Sequence, residues 1–379
     1  MNILVISHTY IASINRDKWK VLAQLYPQIN LKVLVPTVWQ DVLFKLEADD
    51  LDKDNLKNCE FLPLDTFKGG NEVLYGYYPI KFIKLLKSFK PYLIHVEQGD
   101  NAFSYFQSIL FSKLFCKKTK FTFFTWINWK PKKSWKYKFF WQFVESFNLR
   151  NSNGAFVGNE DAKNILKEKY FKKPILVLPQ LGVDTNFFVP KSKEQNKTIG
   201  FVGRLVREKG IFDLVDAFSQ IIFDHPEWKL KFLGGGNHAE DFKKYIAQKN
   251  LENKITICNS VDHFQVKDFI QSVDFLVLPS FDTNLWREQF GHVIIEAMSC
   301  KVSVIGSDAG EIPNVIADAG LIFEQRDIKG LAGCLKILIE DKNLREKLAE
   351  KGYERVKKFY SHEAIAKRTY EFWCEVLKS

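Results

Sequence analysis

The sequence predicts an α/β protein made of two Rossmann-like domains, each a parallel sheet covered by helices, facing one another across a cleft. Three observations predict it. The 379 residues exceed what one hydrophobic core usually organises. Short apolar runs alternate with amphipathic stretches, as βαβ units require. The alternation stops at a polar run, residues 191–197, and then begins again.

In the first half, the runs expected as strands are Asn2–Ser7, Leu31–Val35, Tyr92–Val96, Phe121–Phe124, Ala155–Gly158 and Ile175–Leu178. Each is short, apolar or aromatic, and bounded by polar residues, Gly or Pro. Asp17–Leu25, Pro79–Phe89 and Trp135–Asn148 read as helices between them. In the second half, strands are expected at Thr198–Val202, Leu230–Leu233, Ile255–Ile257, Phe275–Leu278, Val302–Ile305 and Leu321–Phe323. Helices are expected at Ile211–Phe223, Ala239–Lys249, Val293–Ser299, Ile328–Ile339 and Leu344–Phe359. This places the domains at 1–188 and 189–360. A last amphipathic helix, His362–Leu377, would cross back to the first domain. Doubly wound sheets bind ligands outside the carboxyl ends of their strands, so the site belongs in the cleft.

Composition narrows the class. Apolar residues are 46% and charged residues 26% of the chain, a soluble globular profile. The six cysteines form no C-x-x-C pair, which fits a reducing cytoplasm. The apolar start, Met1–Ser7, lacks the basic region and cleavage site of a signal peptide, and no apolar run is long enough to span a bilayer. The net charge of +10 points to anionic partners.

Two constellations carry chemistry. The first is Gly203-Arg204-Leu205-Val206-Arg207-Glu208-Lys209-Gly210, directly after a strand and opening a helix. Gly203 admits a ligand to the backbone, and Arg204 with Lys209 supplies two fixed cations that neutralise a diphosphate without a metal. The competing reading is an ordinary basic surface turn. The second is Glu288-Gln289-Phe290-Gly291-His292-Val293-Ile294-Ile295-Glu296. It puts one carboxylate in the loop entering a helix and another more than a turn along it, with the free N–H groups of the helix start between them. A helix start holds phosphate, and carboxylates accept hydrogen bonds from sugar hydroxyls. The competing reading makes Glu288 a cap and Glu296 a solvated helix residue. However, Glu296 sits among Ile294, Ile295, Ala297 and Met298, where a carboxylate needs a partner.

With Leu278-Pro279-Ser280, Gly306-Ser307-Asp308-Ala309-Gly310-Glu311-Ile312-Pro313 and Gly182-Val183-Asp184, these pieces stand in an order that resembles glycosyltransferase family 4, the retaining, nucleotide-sugar-dependent group 1 enzymes of GT-B fold. The resemblance is strong from about residue 178 to 323 and weak before it. It implies that Arg204 and Lys209 bind the donor diphosphate, Glu296 the ribose and Glu288 the transferred sugar. Backbone at Phe290, Gly291 and His292 would hold sugar hydroxyls and phosphate. The base would lie at Asn259, Ser260 and Val261, and Gly234-Gly235 would make room for it. The co-substrate is then a nucleoside diphosphate sugar, with no metal or other cofactor. The acceptor is a saccharide or a lipid-linked saccharide, and transfer retains configuration.

The first half would supply the acceptor site. His95-Val96-Glu97-Gln98 follows a strand, where the family places a reactive-centre residue, so Glu97 and His95 are candidates for contact with acceptor or donor sugar. For His95, the competing reading is a strand-end residue satisfied by backbone. The family's Gly-Gly pair after the first strand is missing. His8, Asn15 or Arg16 of loop 8–16 would take its place on the phosphates. Asp50-Leu51-Asp52 matches a metal-binding Asp-x-Asp but lies in a run of mixed charge and reads as a solvated face. Residues 113–138 hold nine lysines and no acid. Their aromatic part, 126–140, reads as a contact with an anionic membrane at the inner face of the bilayer. No nucleic-acid module is present. The rival readings are a GT-B nucleotide-sugar epimerase, a phosphorylase and a non-catalytic nucleotide-sugar-binding protein.

Overall fold

A computed structural model of the chain describes residues 1–40, 45–48, 51–129, 135–191, 196–259 and 261–378, with the backbone alone at 52 and 135–139. The chain forms two compact units, Met1–Gly182 with His362–Ser379, and Val183–Ser361. The first boundary falls after Gly182, not after residue 188. The segment that follows is tied into the second unit: Val183 N–H donates to Tyr360 O at 2.9 Å, and the Phe188 carbonyl accepts from Ser299 Oγ at 2.6 Å.

The main sheet of the first unit holds β1 (Asn2–Ile6), β2 (Asn30–Pro36), β3 (Cys59–Leu64), β4 (Leu93–Val96), β5 (Lys120–Thr125), β6 (Gly154–Val157) and β7 (Ile175–Val177). Their order is β7-β6-β5-β4-β1-β2-β3, and every pairing is parallel. Both faces are covered, so the strands are apolar runs without alternation, as in β4 and β6, which are buried throughout. Strand β3 is not anticipated in the sequence because Glu60 and Pro63 interrupt it. It lies at the sheet edge, where a proline costs no ladder hydrogen bond.

Helices α1 (Asp17–Leu25), α2 (Pro79–Phe89), α3 (Phe103–Phe115), α4 (Trp135–Asn151) and α5 (Glu160–Glu168) connect these strands. The second unit has β8 (Thr198–Val202), β9 (Lys229–Leu233), β10 (Ile255–Cys258), β11 (Phe275–Leu278), β12 (Ser303–Ser307) and β13 (Leu321–Phe323). Their order, β10-β9-β8-β11-β12-β13, is that of a dinucleotide-binding sheet, again all parallel. Its helices are α6 (Ile211–Ile221), α7 (Ala239–Gln248), α8 (His263–Gln271), α9 (His292–Ser299), α10 (Ile312–Ile316), α11 (Ile328–Glu340) and α12 (Lys342–Phe359). Among the described residues, no helix is long and apolar enough to cross a membrane.

The last helix, α13 (His362–Lys378), packs on the first unit. Its Trp373 is fully buried and stacks on Trp19 of α1 with ring centroids 5.7 Å apart, and Phe372 meets Phe156 of β6 edge-on at 4.8 Å. Trp373→Ala removes the largest side chain from this contact and should cost about 3–5 kcal/mol, read as a lowered urea midpoint for the first unit. An unchanged midpoint would mean that the unit holds together without its C-terminal helix.

Candidate active site

In the second unit the chain runs from β8 to β9 on one side and reaches β11 on the other. The loops after β8 and β11 therefore part at their carboxyl ends and leave a crevice. The turn after β8 is pinned by backbone bonds. Gly203 N–H donates to Leu233 O at 3.0 Å, and Leu205 N–H to Gly235 O at 2.8 Å. Gly234 lies against this turn so closely that a Cβ there would come within 2.0 Å of Gly203 O. Across the crevice, Phe281 N–H donates to Glu208 O at 2.9 Å, tying the loop after β11 to the loop after β8.

This framework brings Lys209 and Glu288 together, although 79 residues separate them. Lys209 Nζ donates to Glu288 Oε2 at 2.5 Å, and Ser280 Oγ donates to the same oxygen at 3.0 Å. The Lys209 ammonium also sits over the Trp286 ring, 4.9 Å from its centroid. The Glu288 backbone is fixed from behind. Its carbonyl accepts from Glu311 N–H at 3.1 Å, and a Cβ on Gly310, whose φ is 50°, would meet that carbonyl at 2.0 Å. Arg204 is exposed and has no carboxylate partner among the described residues, so its guanidinium is available to an anion.

Helix α9 begins at His292 with Gly291 as its N-cap, a residue with no side-chain acceptor to offer the first N–H groups. Phe290 is buried beneath this start and packs edge-on against Tyr360 at 5.5 Å. Glu296, just over one turn along α9, is buried and has no side-chain hydrogen bond among the described residues. Among the described residues, the titratable group recorded against it is His263, whose Nε2 lies 3.9 Å away. Burial pushes the Glu296 carboxyl up to about 7 and lowers His263. His263 opens α8 directly after the loop holding Val261, which is partly exposed. It was not singled out from the sequence, and its only signal there is its place just beyond that loop. Ser260 lies outside the described residues.

In the first unit, His95 and Glu97 come together with partners that the sequence did not reveal. Glu97 Oε1 accepts from Lys18 Nζ at 2.9 Å and lies 3.2 Å from His95 Nε2, while Oε2 accepts from Gln180 Nε2 at 3.0 Å and from the Tyr10 hydroxyl. Thr122 Oγ1 holds the other His95 nitrogen at 3.0 Å. The Glu97 and His95 side chains are 0% and 1% exposed. As the chain stands, both are turned inward and saturated, so neither presents an atom to an acceptor. Burial alone would raise the Glu97 carboxyl, but Lys18, His95 and Tyr10 overcome it and hold the group at about 2.

Loop 8–16 is likewise built on itself. Arg16 is buried, donating to the Tyr10 and Ile11 carbonyls at 2.9 and 2.7 Å and to Asp54 at 2.6 Å, and Asn15 donates to Thr9 O at 2.9 Å. His8 is half-buried. It stacks on Trp39 with centroids 4.2 Å apart and contacts Gln98 at 3.1 Å and Glu72 at 3.4 Å.

Of the basic aromatic stretch, 130–134 and the side chains of 135–139 lie outside the described residues. Trp126 at its start turns inward, donating to Gln180 Oε1 at 3.0 Å, and Phe140 at its end is 54% exposed. Asp50 and the Asp52 side chain are also outside the described residues.

The two carboxylates predict opposite pH behaviour. Glu97, held below its ordinary 4.5, gives stability that is present above that value and is lost as pH falls toward 2. Glu97→Gln should therefore destabilise the neutral protein by about 3–5 kcal/mol and flatten its acid limb, measured by urea unfolding across pH. Glu296 is raised to about 7, so the folded chain holds more protons than the unfolded one between 4.5 and 7, and stability falls as pH rises through that window. Glu296→Gln should raise the melting temperature at pH values above that window (a drop there would show that the carboxylate already has a stabilising partner).

Residues 182–355 match the family model described as glycosyl transferases group 1. The capsular polysaccharide biosynthesis glycosyltransferase CapM of Staphylococcus aureus is 31% identical over 46% of this chain and 45% of its own length. The phosphatidylinositol N-acetylglucosaminyltransferase gpi3 subunit of Schizosaccharomyces pombe is 29% identical over 54% of this chain and 44% of its own. The chain thus spans about half the length of these curated relatives. Among solved structures, Anabaena Alr3699/HepE in complex with UDP superposes with a TM-score of 0.75 over 99% of this chain and 100% of that one, at 16% identity, a likeness of fold. The fold is GT-B, and its second unit matches the glycosyl transferases group 1 family over residues 182–355.

Proposed function

We propose that the chain is a retaining glycosyltransferase of glycan biosynthesis that moves a hexose-type sugar from a nucleoside diphosphate sugar to a saccharide or lipid-linked saccharide. The second unit binds the donor and the first the acceptor. The observation that carries the reading is Glu296: a buried carboxylate with no hydrogen-bond partner among the described residues, just over one turn along a helix whose start has no side-chain cap. A ribose diol donating to that carboxylate would remove the cost of its burial. Arg204, Lys209 and the α9 start would carry the diphosphate, and the Lys209–Glu288–Ser280 cluster would meet the sugar. The capsular polysaccharide role in the name of the CapM relative supports a glycan product.

In the step envisaged, the bond from the anomeric carbon to the phosphate oxygen breaks as the acceptor oxygen bonds to the same carbon and face. The acceptor proton passes to the departing phosphate, and the cations take up the charge without a metal. We place this work in the cytoplasm, at the inner face of the membrane.

The test is a thermal-shift panel of UDP, GDP, ADP, CMP and their sugar conjugates, followed by turnover with the nucleotide that binds. A ligand that binds the folded state alone raises the melting temperature with the logarithm of its concentration. One nucleotide should stabilise the wild type and fail on Glu296→Ala. Its affinity should fall by about tenfold per pH unit below the Glu296 pKa, because the protonated acid no longer accepts both hydroxyls. Binding without transfer, with no loss on Arg204→Ala, would leave a nucleotide-sugar-binding protein.

A further inference from the structure

Helix α9 carries Glu296 and also fixes, at one remove, the ring beside it. Further along the helix, Ser299 Oγ donates to the Phe188 carbonyl at 2.6 Å. Phe188 is buried and meets the His263 imidazole edge-on, with centroids 5.3 Å apart. The start of α8 is braced on the same segment. Phe187 packs edge-on against Phe264 at 5.4 Å, and the Lys267 ammonium stands over the Phe187 ring, 4.5 Å from its centroid. One helix thus sets the position of the carboxylate directly and of the imidazole through Phe188, and all of these residues belong to the second unit.

This bracing sets a distance. His263 Nε2 and Glu296 Oε1 are 3.9 Å apart, which is too far for a hydrogen bond. A hydroxyl oxygen about 2.8 Å from each fits that separation. Its proton goes to the carboxylate and its lone pair accepts from an Nε2–H, so one hydroxyl satisfies an acceptor and a donor together. A phosphate oxygen does not suit the pair, because it brings a second negative charge to a buried carboxylate. An ammonium group does not suit it either, because it has no lone pair for the Nε2–H. The side chains of Glu296 and His263 are 12% and 39% exposed, so the imidazole is the more accessible half of the pair.

We propose that His263 is a nucleotide-binding residue that holds one hydroxyl of the ribose diol jointly with Glu296, and that the pair selects ribonucleotides over deoxynucleotides. The inference rests on the reading of Glu296 as the ribose carboxylate and adds a second residue to that contact. A carboxylate alone accepts from either hydroxyl of a diol, so it tolerates the loss of one by keeping the other. Two groups closed on a single hydroxyl are both left unpaired when that hydroxyl is missing. Sites built to hydrogen-bond a hydroxyl reject the analogue that lacks it far more strongly than apolar pockets reject a small change of shape.

The experiment is calorimetric titration of the full chain with UDP, GDP and ADP, and with the 2′-deoxy and 3′-deoxy form of each, on wild type, His263→Ala and His263→Gln. One ribonucleotide should bind wild type, and removal of one of its two hydroxyls should weaken it by about tenfold or more. The penalty for that removal should shrink by about threefold or more in His263→Ala. His263→Gln, whose side-chain amide reaches to where Nε2 stood, should keep most of the penalty. The comparison is a ratio within one variant, so a general loss of stability cancels from it. A penalty unchanged in His263→Ala overturns the role of His263 and leaves Glu296 as the ribose residue. Wild type that binds both deoxy forms as tightly as the ribonucleotide, or that binds no nucleotide, overturns both.

Discussion

Parallel pairing on both flanks of β8 is the constraint on which the second unit's chemistry depends. A strand with parallel neighbours reached by crossovers in opposite directions cannot have its following loop covered by either neighbour's loop. The backbone amides after β8 and the loop after β11 are left facing one space. Everything polar in the site is then a matter of holding side chains at the rim of that space. The bonds from Leu205 to Gly235 and from Phe281 to Glu208 hold the two rims in fixed register, so Lys209 and Glu288 meet without either being near the other in sequence.

The chain contains two buried glutamates that show how burial is used for different ends. Glu97 is surrounded by donors on both oxygens, and its charge is cheap to keep because Lys18 and its neighbours replace the lost water. Such a group holds structure together and has nothing left to offer. Glu296 is also buried, with a histidine 3.9 Å away and no side-chain hydrogen bond among the described residues. A natural protein retains that cost where a ligand relieves it. The carboxyls held at about 2 and about 7 therefore differ by environment alone, with residue type held constant, and on the proposed function the second is the one a ligand would relieve.

That distinction marks the limit of what the sequence could tell. The glycine-bounded turn at Gly203 and the Glu288–Glu296 pair were legible because local chemistry there is written in adjacent residues, and the strands were legible because sheets covered on both faces leave unbroken apolar runs. Glu97 and His95 were read as candidates for sugar contact without their partners because those are scattered: Lys18 lies 79 residues from Glu97 and 162 from Gln180, and no spacing rule connects them. Strand β3 was hidden by Pro63, which only an edge position permits. His263 was missed because its role comes from α8 packing beside α9, a tertiary fact.

The pairing of Lys209 with Glu288 also decides how the two cations divide their work. An ammonium held 2.5 Å from a carboxylate presents little net charge at a distance, since the pair acts outside the crevice as a dipole. Arg204, exposed and without a carboxylate partner among the described residues, keeps its full monopole and a fork that matches phosphate oxygens. On the proposed function, attraction of an incoming diphosphate would therefore fall to Arg204. Lys209 would contribute at close range, where a phosphate oxygen would compete with Glu288 for its remaining protons while Ser280 still holds the carboxylate. A lysine has three donors and one is committed here, so it can bridge phosphate and carboxylate together. In the proposed reaction that would put Glu288 beside the bond that breaks, and would link the grip on the leaving group to the position of the residue that meets the sugar.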